Sequence, residues 1–266
     1  MTAGPLLAAF GYHEVTDDPR DSGFQRPGAL PYKHTTRAFA DHLARIAAGG
    51  LPPALVTDLD LSRPGRHLVL TFDDGGASAL RISDELNRRG WKAHFFIVTS
   101  LIGSRTFLDA AGIRYLAECG HLVGSHSHAH PDIFKELPFA RMVEEWRVSA
   151  EILAGLLGAP CRTGSVPGGD ISPHVLRSAG AAGLAHLFTS EPWLAPRRVD
   201  GCWVLGRFMP KVGTTPARVG ALAQFRGWTR ALVARRLRVY ARTLLPGAYR
   251  RYIRWSTRSP QPGTDP

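Results

Sequence analysis

Cysteine is scarce in this chain. Its 266 residues include only Cys119, Cys161 and Cys202, widely spaced and without a CxxC pair. That excludes a disulfide scaffold and a thiolate metal cluster, and makes reduced thiols the expectation. No GxGxxG follows the first strand and no GxxxxGK[ST] occurs, so neither familiar phosphate loop supports nucleotide binding. No apolar run reaches the roughly eighteen residues of a membrane span. The opening MTAGPLLAAFGYHEV lacks the basic region that precedes the apolar run of a secretory signal. A cytoplasmic location, peripheral on the inner membrane face if the basic end meets lipid, is the resulting expectation.

Acidic residues nearly vanish beyond position 200. Residues 1–200 hold twenty Lys/Arg and twenty-one Asp/Glu, whereas residues 201–266 hold thirteen and one. The net charge of +11 therefore belongs to the last quarter of the chain. A hydrophobic fraction of 44% fits a folded protein with a sizeable core, and the length suits one large α/β domain or two smaller ones.

What is present is a repeated order of strand, loop and helix. LLAAFGYH, ending at His13, predicts a first buried strand, followed by a long surface loop over 14–33. Thr35 or Thr36 caps a helix through about Ile46. HLVLTFDDGG joins an apolar strand to an acidic turn, and helical periodicity runs from Ser78 to Arg89. AHFFIV is apolar on both faces, as a parallel sheet requires. A helix is predicted around 107–118, then HLVG as a strand with a histidine cluster in its loop. The clearest helix spans 139–157, where Val143, Trp146, Ala150, Leu153 and Leu157 share one face. CRTGSVPGG predicts a strand and loop, Ser172 and Pro173 begin a helix, and LAHLFTSEP a further strand. Polar residues fall just past these strands: Asp73 and Asp74, the histidines, 162–170, and 189–191. Ligand sites in parallel α/β proteins gather at carboxyl strand ends, so one shared site is expected.

Four of the eleven histidines lie within 121–130. His126 and His130 stand four apart, an interval that sets two imidazoles on one side of a helical turn, as in many metal sites. His128 would face away. Two adjacent acids, Asp73 and Asp74, repel unless a positive group lies near, and a turn lets both face one pocket. An ordinary tight turn also explains Asp-Asp-Gly. With Asp74 added, two histidines and a carboxylate make a donor set for Zn²⁺ or a neighbouring divalent ion.

TFDDG at 71–75, GSHSHAHP at 124–131, and the arginine of CRTG with PGGD at 167–170 resemble the successive motifs of the polysaccharide deacetylase family, which shares the NodB homology domain. The resemblance runs from about Gly11 to about Pro192. It implies a distorted (β/α) barrel of about seven strands and metal-dependent removal of acetyl from an N-acetylated sugar; an exopolysaccharide or, given the basic end and the missing signal, a lipid-linked glycan is the expected substrate. It further implies that Asp73 is the general base, that Asp74, His126 and His130 hold a divalent metal, zinc being the expected one, and that Arg162 orients Asp73. A simple buried ion pair is the other reading of Asp73 and Arg162. Gly75, Pro167, Gly168 and Trp193 are the expected substrate-binding residues, and an acetylated glycan the expected partner.

The chain departs from the family's pattern in two places. The Leu-x-x-His segment that usually supplies the acid for the leaving amine is missing, since no histidine follows His186. The usual later aspartate-and-tryptophan segment is not recognisable. His13, at the end of the first strand, is the preferred acid; packing at the barrel rim is its plainer role, and His128 is a weaker candidate. O-deacetylation and noncatalytic glycan binding stay open as alternatives.

The expected organisation is a barrel domain over 1–223, a basic amphipathic helical extension over 224–255, and a disordered tail over 256–266. Between Phe225 and Leu245, Phe225, Trp228, Leu232, Val233, Leu237, Val239, Tyr240 and Leu244 share one side of a helix. Arg230, Arg235, Arg238 and Arg242 share the other. Such a helix either closes the barrel with its arginines toward solvent or lies on an anionic membrane surface. No nucleic-acid motif accompanies it.

Overall fold

The computed structural model describes residues 4–258, without the side chains of 241–243 and 246. Ten strands are described: β1 Leu6–Tyr12, β2 Glu14–Val15, β3 Lys33–His34, β4 Arg66–Phe72, β5 His94–Ile97, β6 Leu122–Ser125, β7 Thr163–Ser165, β8 His186–Phe188, β9 Arg197–Val199 and β10 Cys202–Leu205. The helices are α1 Thr36–Ala47, α2 Ala79–Asn87, α3 Ala110–Glu118, α4 Phe139–Leu157, α5 Pro173–Ala181, α6 Pro216–Ala223, α7 Trp228–Leu244 and α8 Pro246–Ser256.

One eight-stranded sheet dominates, in the order β1-β4-β5-β6-β7-β8-β10-β9. All its neighbours pair in parallel except β9, which runs antiparallel along β10. The sheet curls until the segment after β10 returns to β1, where Phe208 donates to Ala9 O at 2.9 Å and Gly11 donates to Phe208 O at 2.9 Å. This is the distorted barrel of the sequence reading, closed by a single bridge rather than a full ladder.

Local chemistry explains the elements. Thr35, Asp109, Ser172 and Thr215 each accept a backbone N–H at the start of a helix, satisfying donors that the helix cannot. Gly158 ends α4 in the left-handed region at φ 67°, where a side chain would be strained. Trp146 lies wholly buried under α4, its indole N–H donating to Ser178 Oγ at 3.1 Å. The loop predicted over 14–33 contains β2, which pairs with β3 in a separate two-stranded sheet.

Register sets the site. Tyr12 pairs with Phe72, Ile97 with Ser125, Ser165 with Phe188, and Phe188 with Leu205. His13, Asp73, His126 and Arg207 therefore leave the same edge of the sheet, within two residues of their strand ends.

α7 lies the other way round from the closing helix expected. Trp228 and Ala231 are buried in the main core, and Arg235 and Arg238 face the cleft beside Ala234. Val233, Leu237, Tyr240 and Leu244 instead face solvent, each more than half exposed. The Arg242 side chain lies outside the described residues. So does most of the expected disordered tail, although Ser256 itself ends α8. No described helix is long and apolar enough to cross a membrane.

Candidate active site

The acidic turn after β4 works because Asp74 adopts φ 76°, a left-handed conformation uncommon outside glycine. It turns the backbone so that both carboxylates enter one cleft. Ser127 at φ 65° and His130 at φ 49° do the same for the histidine loop. The helical turn expected for His126 and His130 is not formed. A bent loop brings the imidazoles together, with ring centroids 5.1 Å apart. Ser127 Oγ accepts from His130 N at 3.0 Å, and Glu145 Oε2 accepts from Ala129 N at 2.7 Å.

His126 Nε2 stands 3.4 Å from Asp74 Oδ1, and His130 Nε2 3.9 Å from the same oxygen. The three donor atoms lie within 4.8 Å of one another. His126 donates from Nδ1 to Ser165 O at 2.9 Å, which leaves the Nε2 lone pair aimed into the cleft. This donor set fits a divalent ion. His130 is set differently, because Arg26 Nη2 lies 3.0 Å from its Nδ1 and can only donate to it. That contact favours the tautomer with its proton on Nε2, opposite to the one a metal ligand needs there.

Asp73 faces Arg207. Nη1 donates to Oδ1 at 2.7 Å and Nη2 to Oδ2 at 2.9 Å, while Ser165 Oγ donates to Oδ2 at 3.1 Å. Arg207 is fully buried, with Nε donating to Thr189 O at 3.0 Å and Nη1 to Thr71 Oγ1 at 2.7 Å. Arg162, expected as this partner, is exposed at the opening of β7. The reason is geometric: Arg162 precedes its strand, so it sits at the amino edge, while the site occupies the carboxyl edge. Arg207 follows the apolar run CWVL, and the strand-end rule that found the acids and histidines points to it as well.

Charge follows from these contacts. Burial raises the pKa of Asp73, but Arg207 and then His126 outweigh burial and hold the carboxyl below its ordinary range. Asp74 is held well below it by His13, His126 and His130, again against burial. For His126, burial favours the neutral ring, yet Asp73 and Asp74 prevail and raise its pKa. Burial and the neighbouring His126 push His130 down to about 3.

These residues line a cavity of about 260 Å³. His13 is among its walls, its ring tilted against Tyr32 at 4.6 Å, and its buried Nδ1 has no hydrogen-bond partner among the described residues. Burial lowers its pKa against the pull of Asp74 and Asp73. His128 is not in the cavity wall; its Nδ1 shares a hydrogen bond with Thr99 Oγ1 at 3.0 Å.

Of the expected substrate residues, Gly168 lines the cavity. Gly75 lies behind it, packed so closely on Ile97 that a Cβ would come within 2.9 Å of that side chain. Pro167 is buried beside the cavity, not in its wall. Trp193 is also outside the wall. Arg197 lies over its ring at 4.2 Å, and Gly206 packs so close that a Cβ there would meet the Trp193 carbonyl at 2.4 Å.

The sequence reading missed the C-terminal wall. Arg235 of α7 donates to Glu191 Oε1 at 2.8 Å and to Gly169 O at 2.7 Å, and Tyr249 of α8 donates to Asp170 Oδ2 at 2.5 Å. Gly28 N donates to Ser256 O at 2.9 Å. Both helices thus form part of the cleft, a role that the amphipathic pattern gave no reason to expect.

The curled parallel sheet carries an Asp-Asp turn and two histidines at its carboxyl edge, and residues 60–187 match the family model of the polysaccharide deacetylases. Among curated proteins, the chain is similar to the peptidoglycan-N-acetylglucosamine deacetylase PgdA of Listeria monocytogenes, with 32% identity over 126 residues. That match covers 46% of this chain and 26% of PgdA, so the chain spans about a quarter of that protein's length. Among solved structures, IcaB from Ammonifex degensii superposes with a TM-score of 0.69 at 21% identity, covering 83% of this chain and 98% of IcaB. The Streptococcus pyogenes deacetylase PplD, solved in complex with acetate, gives 0.67 at 16% identity, covering 82% and 97%. These two likenesses establish the fold.

Proposed function

We propose that this protein is a metal-dependent carbohydrate N-deacetylase. The observation that carries the reading is the convergence of Asp74, His126 and His130 with the Arg207-bound Asp73 in one cleft. Asp74, His126 and His130 would hold a divalent ion, zinc being the expected one. Such an ion supplies Lewis-acid polarisation of an acetyl carbonyl and of water.

The chain's own residues account for the proton movements. Asp73, kept ionised by Arg207, accepts the proton of the attacking water at a carboxylate oxygen. Arg207 fixes the orientation of that carboxylate by its paired hydrogen bonds. His13 is the imidazole at hand for the departing amine, because its Nδ1 has no hydrogen-bond partner among the described residues.

The glycan is proposed to be met at a membrane surface. α7, α8 and the Leu245 between them expose Val233, Leu237, Tyr240, Leu244, Leu245, Tyr252 and Trp255, in the region that carries the chain's positive excess. An apolar stripe beside arginines suits the boundary of an anionic bilayer, where each basic residue near the surface adds ~1 kcal/mol.

Acetate release from a panel of N- and O-acetylated oligosaccharides, with zinc added back, tests the activity. Release from N-acetylated sugars supports it. Release only from esters would make the protein an O-deacetylase. Glycan binding without release under several divalent ions would make it a noncatalytic binding protein.

A further inference from the structure

Among the described residues, six cationic side chains line the cleft, against the carboxylates of Asp73, Asp74 and Asp132. Three of the six are paired: Arg207 with Asp73, Arg235 with Glu191, and Arg26 with Asp132. The other three are Lys211, Arg218 and Arg238. None of these has a carboxylate within ion-pair distance among the described residues.

They come from three separate parts of the chain. Lys211 follows β10, Arg218 lies in the first turn of α6, and Arg238 is one turn beyond Arg235 on α7. Each is exposed. Aromatic rings of the cleft wall position two of them, with Lys211 Nζ 5.1 Å from the centre of Tyr32 and Arg218 5.1 Å from the centre of Phe208. Tyr32 in turn packs at a tilt against His13, which places Lys211 one ring away from the reacting end of the cleft. Arg238 is carried on a helix face that Arg235 pins to Glu191 and to the Gly169 carbonyl.

Exposed cations that line one cleft and carry no carboxylate of their own are open to an external anion. Guanidinium groups match phosphate oxygens in pairs, and an ammonium adds a point charge. We propose that Lys211, Arg218 and Arg238 form an anion subsite at the cleft mouth, which takes a phosphate or diphosphate carried by the glycan. The inference rests on the deacetylase reading for the sugar; the cations define the charge that the sugar bears. A lipid carrier and a nucleotide can each supply a sugar-linked diphosphate.

Calorimetric binding to the full-length protein tests this without depending on acetate release. The probes are N,N′-diacetylchitobiose, uridine diphosphate N-acetylglucosamine and farnesyl diphosphate-linked N-acetylglucosamine. The diphosphate probes are expected to bind at least about tenfold more tightly than the neutral sugar, with that preference weakening as salt rises. Lys211→Gln with Arg238→Gln, and Arg218→Gln separately, should lower the preference and leave neutral-sugar binding unchanged. Tighter binding of the farnesyl probe assigns the anion to a lipid carrier, and equal binding of the two assigns it to the diphosphate alone. Equal affinity for charged and neutral sugars would overturn the subsite. So would a preference that survives all these substitutions, since the metal site would then be its source. A preference that depends on these cations, in a protein that releases no acetate, would keep the subsite and reject the deacetylase.

Discussion

Arg207 and Asp73, separated by 134 positions in sequence, meet in a two-pronged ion pair from which solvent is excluded. Burial alone would favour the neutral form of Asp73, so its use as a base depends on this partner. Arg207→Gln should lower turnover by about 100-fold or more, the scale of a lost general base. It should also move the acid limb of the pH–rate profile upward, because a depressed carboxylate pKa rises when its cation leaves. Stability should fall by about 3–5 kcal/mol, since Asp73 is left buried and unpaired. Arg162→Gln, at an exposed position on the opposite edge, should change neither. A pH–rate profile for the two variants checks this.

Arg26 opposes the tautomer that would let His130 bind metal through Nε2. Arg26→Ala should therefore tighten zinc binding, by about tenfold on the scale of changes to groups that orient metal ligands. Competition against a chromophoric chelator measures it. Unchanged or weaker zinc affinity would mean that Arg26 does not restrain His130.

Glu14 is buried behind the acidic turn, where Ser22 and Ser78 donate to Oε2 and Oε1 has no hydrogen-bond partner among the described residues. Burial pushes its carboxyl up from 4.5 to about 7, despite those hydrogen bonds. The folded state thus binds this proton more tightly than the unfolded chain does. Its stabilising effect is complete below 4.5 and disappears as pH rises through about 7, a loss on the order of 3 kcal/mol. Glu14→Gln should flatten the stability curve between pH 5 and pH 8, as read from urea midpoints. An unaltered slope would show that Glu14 does not titrate in this window.

The exposed stripe of α7 gives a separate test. Full-length protein should sediment with vesicles containing phosphatidylglycerol, and Leu237→Glu with Leu244→Glu should leave most of it in the supernatant. Removing everything beyond residue 223 would be a poorer control, because Trp228 and Ala231 belong to the main core. Equal sedimentation of the double variant would argue against lipid contact through α7.

The residues at strand ends were largely legible in the sequence, because an apolar strand followed by a polar turn is a local pattern. Asp73, Asp74, His126 and His130 came from it directly. Arg207 carries the same signature after CWVL, but the arginine of CRTG drew the assignment away. The way His126 and His130 converge was not legible. Their interval fits a helical turn, whereas the loop gathers them through left-handed Ser127 and His130. The orientation of α7 was hidden too. An amphipathic pattern fixes two faces but not which one a fold buries, and here the cleft takes Arg235 and Arg238 while solvent receives Leu237 and Leu244.

The central claim separates an ion-holding trio from a proton-accepting carboxylate, and Asp73→Asn divides the two in one preparation. Zinc content and acetate release from an N-acetylated oligosaccharide are measured together on this variant and on the unaltered protein. Zinc should stay bound while acetate release falls at least about 100-fold. Unimpaired release by Asp73→Asn would contradict the account.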